Sequence, residues 1–129
     1  MIFLSNPRIF WIITLFYLLI IFMLSSLSHP PQPLENNIFP VLAHLVEYTI
    51  LGILLYTSLH STLDIDPKKI LFLAFLFSSF YGLTDELHQF FVPGRHCSLL
   101  DLVVDVLGSF IGASLSFLKS KSNPGSSRS

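Results

Sequence analysis

The sequence predicts an all-α membrane protein, built as a four-transmembrane-helix bundle with both termini cytoplasmic. Hydrophobic residues make up 52% of the 129-residue chain and charged residues only 12%, against about 25% charged residues in an ordinary globular domain. The mean hydropathy is +0.70, and the apolar residues form runs of about the twenty residues that a spanning helix needs. This length allows a single domain. The net charge of −1 offers no basic surface for nucleic acid.

Four spans are predicted within one domain over residues 1–118, and a disordered polar tail follows over 119–129. The spans cover about residues 9–27, 38–59, 70–91 and 99–118. Ser26 and Ser28 could instead flank the cleavage site of a signal peptide, but the first run is longer than the about 7–15 residues of a signal-peptide core. Ahead of the third span, Asp66 and Pro67 are a typical helix start, because aspartate caps a helix and proline suits its first position.

The basic residues favour one orientation. Six of the seven lysines and arginines flank the same end of the predicted bundle: Arg8, Lys68, Lys69, Lys119, Lys121 and Arg128. Only Arg95 lies at the other end. Since short cytoplasmic flanks are enriched in lysine and arginine, we expect both termini to be cytoplasmic.

With this orientation, polar residues from three spans reach one depth in the outer half of the membrane. We predict that they form one ligand-binding pocket, which comprises His44, Glu47, Tyr48, Asp85, Glu86, His88, Gln89, Arg95, Asp101 and Asp105. Ionisable groups at membrane depth are costly and commonly mark functional sites. Residues three or four apart share a helix face, and this spacing places Gly82, Gly108 and Gly112 on the same faces as the acids. We therefore expect these glycines to allow close helix packing.

The charges of this pocket do not balance. Five carboxylates share the layer with one certain cation, Arg95, and crowded carboxylates in a low dielectric cannot all stay ionised without compensation. Protonation, protonated His44 or His88, or a bound divalent metal ion such as Mg²⁺, Mn²⁺ or Zn²⁺ would each compensate. The spacing matches no standard zinc signature, so no metal ligand is assigned and the cofactor stays open. The structural alternative is that the acids pair with Arg95 and cap the turn.

Three motifs resemble a known family. They are H-L-V-E-Y-x-x-L-G at residues 44–52, T-D-E-x-H-Q-x-F-V-P-G-R at 84–95 and D-x-x-x-D-x-x-G-x-x-x-G at 101–112. Together they are similar to the VanZ-like family of small bacterial membrane proteins, in which many members have asparagine at the position of Asp105. The resemblance implies a role in the cell envelope. The founding member is associated with low-level resistance to the glycopeptide teicoplanin.

Three functions remain open at this point. We favour a multi-pass protein of the bacterial cytoplasmic membrane that binds a membrane lipid or a lipid-linked envelope precursor at the outer leaflet. The first alternative is an intramembrane, metal-assisted enzyme that acts on a phosphate-bearing lipid. The second is an ion- or proton-coupled carrier, which lacks an ionisable path through the inner half of the spans. The sequence contains no Ser-His-Asp spacing, Walker loop or dinucleotide fingerprint, and it does not fix the oligomeric state.

Overall fold

The computed structural model describes residues 6–28 and 38–123 and places four helices in these ranges. They are α1 (Pro7–Ser25), α2 (Ile38–Thr62), α3 (Pro67–Phe90) and α4 (Leu99–Ser122). Each is long and apolar enough to cross a membrane, and no strand occurs in the two described ranges. The predicted all-α, four-helix fold class is confirmed, whereas the cytoplasmic position of the termini stays a prediction.

The helix ends follow their capping residues. Asp66 caps α3 as predicted: its side chain accepts a hydrogen bond of 2.8 Å from the backbone N–H of Lys68, and Pro67 occupies the first turn. Ser98 caps α4, where its hydroxyl oxygen accepts from the backbone N–H of Asp101 at 3.3 Å. Both caps provide an acceptor for backbone donors that lack an intrahelical partner.

Helix α4 is longer than the apolar pattern predicts. Residues 119–122 were expected to begin the disordered tail, but they form the last turn of α4. A hydrogen bond of 2.9 Å between the hydroxyls of Tyr56 and Ser120 links this turn to α2. Lysines in the last turn of a helix also stabilise it, because their positive charge interacts favourably with the helix dipole. The rest of the predicted tail, residues 124–129, lies outside the described residues, as do residues 29–37 of the proline-containing segment.

The backbones of α2 and α4 touch at three glycines. A Cβ atom added at Gly108 would lie 2.7 Å from the carbonyl oxygen of Leu45, and one at Gly52 would lie 2.6 Å from the carbonyl oxygen of Ser109. A Cβ atom at Gly112 would overlap the carbonyl oxygen of Thr49. Small residues permit this kind of approach between membrane helices. The α2–α4 pair is therefore held at backbone contact distance.

Helix α1 lies at the side of the bundle, against α2 and α3. The Thr14 and Ser58 hydroxyls are hydrogen-bonded at 2.8 Å, and the Tyr81 hydroxyl donates to the carbonyl oxygen of Leu18 at 2.7 Å. Many apolar side chains of α1 are exposed, including Ile12, Leu15, Phe16 and Met23. An exposed apolar face of this size suits contact with lipid and not with water.

Candidate functional site

Acidic and histidine side chains of three helices meet at the end of the bundle where α3 ends and α4 begins. We call this group the polar cluster; it consists of His44 from α2, Asp85 and Glu86 from α3, and Asp101 and Asp105 from α4. Asp105 is 0% exposed, Glu86 1%, Asp85 6% and His44 7%, and Asp101 is partly buried. Charged residues are rarely buried to this extent unless they are paired.

One ion pair joins two helices inside the polar cluster. The Nδ1 atom of His44 lies 2.9 Å from Oδ1 of Asp105, and no other ion pair joins the five described residues of the cluster. The second carboxylate oxygen of Asp105, Oδ2, has no hydrogen-bond partner there. A Cβ atom at Gly82 would lie only 3.0 Å from the Asp105 Cβ atom. The absence of a side chain at Gly82 therefore gives Asp105 its space beside α3.

Glu86 connects the end of α3 to the start of α4. Its Oε2 atom accepts a hydrogen bond of 2.8 Å from the backbone N–H of Ser98, the residue that caps α4. Its Oε1 atom is buried and has no partner among the described residues. Glu86 thus has one structural role, since it fixes the turn, and one carboxylate oxygen that this role does not use.

The remaining predicted pocket residues of α2 and α3 surround the cluster. The Gln89 side-chain amide donates to Oδ2 of Asp85 at 3.3 Å. Tyr48 is fully buried, and its hydroxyl lies beside Asp85 and interacts electrostatically with Asp85 and Asp105. The half-buried Glu47 carboxylate interacts electrostatically with His44 and Asp85. All three residues therefore lie next to the cluster.

His88 and Arg95 lie elsewhere, against the end of α1. The His88 ring stacks on Phe22 with ring centroids 4.8 Å apart, and its Nε2 atom lies 3.0 Å from the Ser26 hydroxyl. Arg95 donates from Nη2 to the Leu24 carbonyl oxygen at 2.7 Å and from Nε to the Leu27 carbonyl oxygen at 3.0 Å. Arg95 makes no ion pair with a described carboxylate. The Arg95 ion pairs of the structural alternative are therefore not seen among the described residues, although Arg95 interacts electrostatically with Glu47 and Glu86 does hold the turn.

The turn between α3 and α4 places Arg95 at this position. Gly94 has a φ of 79°, a conformation that residues with a Cβ atom rarely adopt. The backbone N–H of Arg95 closes the turn by donating to the Val92 carbonyl oxygen at 3.1 Å. Pro93 and Gly94 thus form the turn that reverses the chain between α3 and α4.

Comparison with known proteins fits this arrangement. The sequence model of the VanZ/LLP1 family matches residues 8–120. The chain belongs to the VanZ/LLP1 family. The match extends from the first turn of α1 to the last turn of α4 and includes every residue of the polar cluster. No curated protein and no solved structure matched the chain. Family membership and four helices of spanning length together identify a membrane protein.

Two groups in this VanZ/LLP1 protein have the composition of a metal site. In the first, ligand atoms of His44, Asp85 and Asp105 all lie within 4.8 Å of one another. In the second, ligand atoms of His44, Glu86 and Asp101 do so. The groups share the imidazole, and each contains two carboxylates. Imidazole nitrogen and carboxylate oxygen together suit divalent metals such as zinc and manganese.

The sequence patterns assign no role to Gly52 or Ser109, although both contribute to the helix contacts around the site. Gly52 lies at the α2–α4 contact, and the Ser78 and Ser109 hydroxyls are hydrogen-bonded at 2.7 Å between α3 and α4. The spacing contains a signal for Gly52, because it follows Tyr48 by four residues and so shares its helix face. No signal of this kind marks Ser109, since serine is common in membrane helices.

Replacing Arg95 with glutamine should loosen the end of α1 and leave the rest of the bundle intact. The substitution removes the guanidinium donors from two backbone carbonyls of α1, and a net loss of about 1 kcal/mol is expected for such exposed hydrogen bonds. Hydrogen–deuterium exchange of the purified VanZ/LLP1 protein should become several-fold faster in residues 22–27 and stay unchanged in α4. Arg8→Gln, at the other end of α1, is the control. Uniform acceleration in both variants would contradict this role of Arg95.

Proposed function

We propose that the protein is a multi-pass protein of the bacterial cytoplasmic membrane that binds the polar headgroup of a membrane lipid or lipid-linked envelope precursor. The headgroup enters the polar cluster. Asp85, Asp105 and Glu86 accept hydrogen bonds from its hydroxyl or amine groups, and Tyr48 and Gln89 lie beside them. The role is that of a binding or accessory protein, which deepens the envelope function that family membership implies.

The observation that carries this proposal is the pair of unused carboxylate oxygens. Oδ2 of Asp105 and Oε1 of Glu86 are buried and have no hydrogen-bond partner among the described residues. A purely structural network is expected to satisfy its own buried polar atoms, because each unsatisfied atom costs about 1–3 kcal/mol. Two such oxygens within one cluster support a role in which an external group completes the hydrogen bonds.

The distribution of basic residues supports a site at the outer leaflet. Arg8, Lys68, Lys69, Lys119 and Lys121 occur in the helix turns farthest from the polar cluster. Under the positive-inside rule this end is cytoplasmic, so the polar cluster faces the outer leaflet, where lipid-linked envelope precursors are used. Because the founding member of the family is associated with teicoplanin resistance, we extend the proposal to the response to glycopeptides. Deletion of the gene for this protein is then expected to alter sensitivity to teicoplanin.

The test is native mass spectrometry of the protein purified in mild detergent. Wild-type protein is expected to retain a lipid, and Asp85→Asn is expected to lose most of it, because the carboxylate that accepts from the headgroup becomes an amide of the same shape. Asp64→Asn, an exposed acid at the opposite end of the bundle, is the matched control and should retain the lipid. Thermal unfolding of all three proteins verifies that each is folded.

Equal lipid retention in folded Asp85→Asn and wild-type protein would contradict the proposed binding site. Loss of folding in Asp85→Asn alone would assign the cluster a structural role instead. If wild-type protein released inorganic phosphate from the retained lipid during incubation, the intramembrane enzyme would replace the binding protein as the better description. These outcomes differ in mass and in free phosphate, so one set of samples separates them.

A further inference from the structure

The geometry of the polar cluster matches the spacing of ligands around a metal ion. Two ligand atoms at about 2.1 Å from one ion lie about 3.4 Å apart in a tetrahedral site, and about 3 Å (adjacent) or about 4 Å (opposite) apart in an octahedral site. His44 Nδ1 and Asp105 Oδ1 are 2.9 Å apart, which is the adjacent spacing. Ligand atoms of His44, Asp85 and Asp105 all lie within 4.8 Å of one another, so the three side chains have to move slightly closer together to share one ion.

Burial separates the two candidate ligand groups. His44, Asp85 and Asp105 are all buried, whereas Asp101 in the group with His44 and Glu86 is only partly buried. Glu86 also uses one carboxylate oxygen to hold the backbone N–H of Ser98. The group of His44, Asp85 and Asp105 is therefore the better set of direct metal ligands, and Glu86 and Asp101 lie beside it.

Unpartnered oxygens point to a ligand independently of this spacing. Asp105 is 0% exposed and Glu86 1% exposed, and each has one carboxylate oxygen without a hydrogen-bond partner among the described residues. These oxygens belong to neighbouring groups that share His44. A buried carboxylate is expected to be paired or to coordinate a metal. A bound cation would coordinate such carboxylate oxygens together with the neighbouring imidazole.

The protein's own cations leave the cluster undercompensated. Arg95 directs Nε and Nη2 to backbone carbonyls of α1, and the lysines of the described residues lie at the other end of the bundle. Protonated His44 would neutralise one of the carboxylates of Asp85, Glu86, Asp101 and Asp105. A divalent ion neutralises two charges at once and is held by the same atoms, which favours it over His44 alone.

We propose that His44, Asp85 and Asp105 bind one divalent transition-metal ion, such as Zn²⁺ or Mn²⁺. The mixture of one imidazole and carboxylates favours these ions over Mg²⁺ and Ca²⁺, which prefer oxygen ligands alone. Glu86 and Asp101 flank the ion and add negative charge. In the headgroup-binding function proposed above, the bound ion attracts a phosphate group of the headgroup, and Glu86 beside the ion accepts from its hydroxyl or amine groups; this consequence rests on that function, whereas the metal site does not.

The test measures metal binding alone, on full-length protein stripped of metal and purified without a polyhistidine tag. All samples carry His96→Gln and Cys97→Ser, because these adjacent exposed residues offer an imidazole and a thiol, which are ligand types for Zn²⁺. Titration with Zn²⁺ and with Mn²⁺ is expected to give one equivalent per chain. Asp85→Asn and His44→Gln should each weaken metal binding by at least about tenfold. Mutation of residues that only hydrogen-bond to metal ligands already costs about tenfold or more, so loss of a direct ligand should cost at least as much.

Control variants lie at the opposite end of the bundle. His60→Gln and Asp64→Asn should bind as the parent protein does, and Glu86→Gln should weaken binding less than Asp85→Asn. Electron spin-echo spectroscopy of Mn²⁺ bound to the parent protein should show coupling to one imidazole nitrogen. This measurement needs no variant of the cluster, so it stands even where a variant fails to fold.

Each opposite result overturns the proposal. If folded parent protein binds less than half an equivalent of Zn²⁺ and also less than half an equivalent of Mn²⁺, the proposed site does not exist. Unchanged binding in Asp85→Asn, or equal loss in His60→Gln, places the metal elsewhere, as does the absence of nitrogen coupling. Greater loss in Glu86→Gln than in Asp85→Asn rejects the chosen ligands. Metal binding without a retained lipid supports the metal site and contradicts the headgroup function. A retained lipid without metal binding supports the headgroup function and contradicts the metal site.

Discussion

Replacing Gly112 with alanine is expected to destabilise the bundle by about 3 kcal/mol, the upper end of the range for overpacking a well-packed core. The added Cβ atom would overlap the carbonyl oxygen of Thr49 and lie 3.0 Å from the backbone nitrogen of Ile53. Neither atom belongs to a flexible side chain, so neither can turn away. The clash is relieved only if α2 and α4 move apart.

The unfolding midpoint in SDS-containing mixed micelles measures this effect. Leu115→Phe is the control, because Leu115 is 52% exposed and enlargement there meets no neighbouring helix. Gly112→Leu should go further and prevent accumulation of folded protein. A wild-type midpoint for Gly112→Ala would show that the two backbones are farther apart than the structure places them.

Removing the imidazole of His44 is expected to have a similarly large effect. In His44→Leu, Asp105 stays fully buried and loses its one ion-pair partner, and breaking a buried pair from one side costs about 3–5 kcal/mol. Asp105→Asn alone should cost much less, because the asparagine side-chain oxygen still accepts from His44. The same change also matches the asparagine that many VanZ-like sequences carry at this position.

A double-mutant cycle isolates the interaction of the two residues. His44→Leu in an Asp105→Asn background should destabilise the protein by at least about 1 kcal/mol less than in the wild-type background, within the range of direct contacts. The measurements are made with chelator present, so that loss of metal does not contribute. Additive effects would mean that His44 and Asp105 do not interact.

The spans and the depth of the polar residues can be predicted from simple patterns. Runs of apolar residues mark the helices, and because successive helices run in opposite directions, the end of one helix lies beside the start of the next. Helical spacing also predicts the face that Ser78, Gly82, Asp85 and Gln89 share, and all four are buried. Their burial shows that this face points into the bundle. The same patterns do not reveal which neighbour each face meets, because that depends on how the helices are arranged around one another.

Glu86 and His88 illustrate the difference. Successive residues turn by about 100° around a helix axis, so these two residues lie on nearly opposite sides of α3. Glu86 contacts the start of α4, and His88 contacts the end of α1. Their common depth suggested a common pocket, but the rotation separates them. Arg95 follows the geometry of a turn around Gly94, which side-chain periodicity does not describe.

The glycine contact between α2 and α4 has a consequence for how the family can vary. Because Gly52, Gly108 and Gly112 bring backbone against backbone, the interval between His44 and Asp105 is set by atoms that every amino acid shares. The lipid-facing leucines, isoleucines and phenylalanines can therefore exchange freely without retuning that interval. Sequence change over most of the surface is therefore compatible with a polar cluster of fixed dimensions.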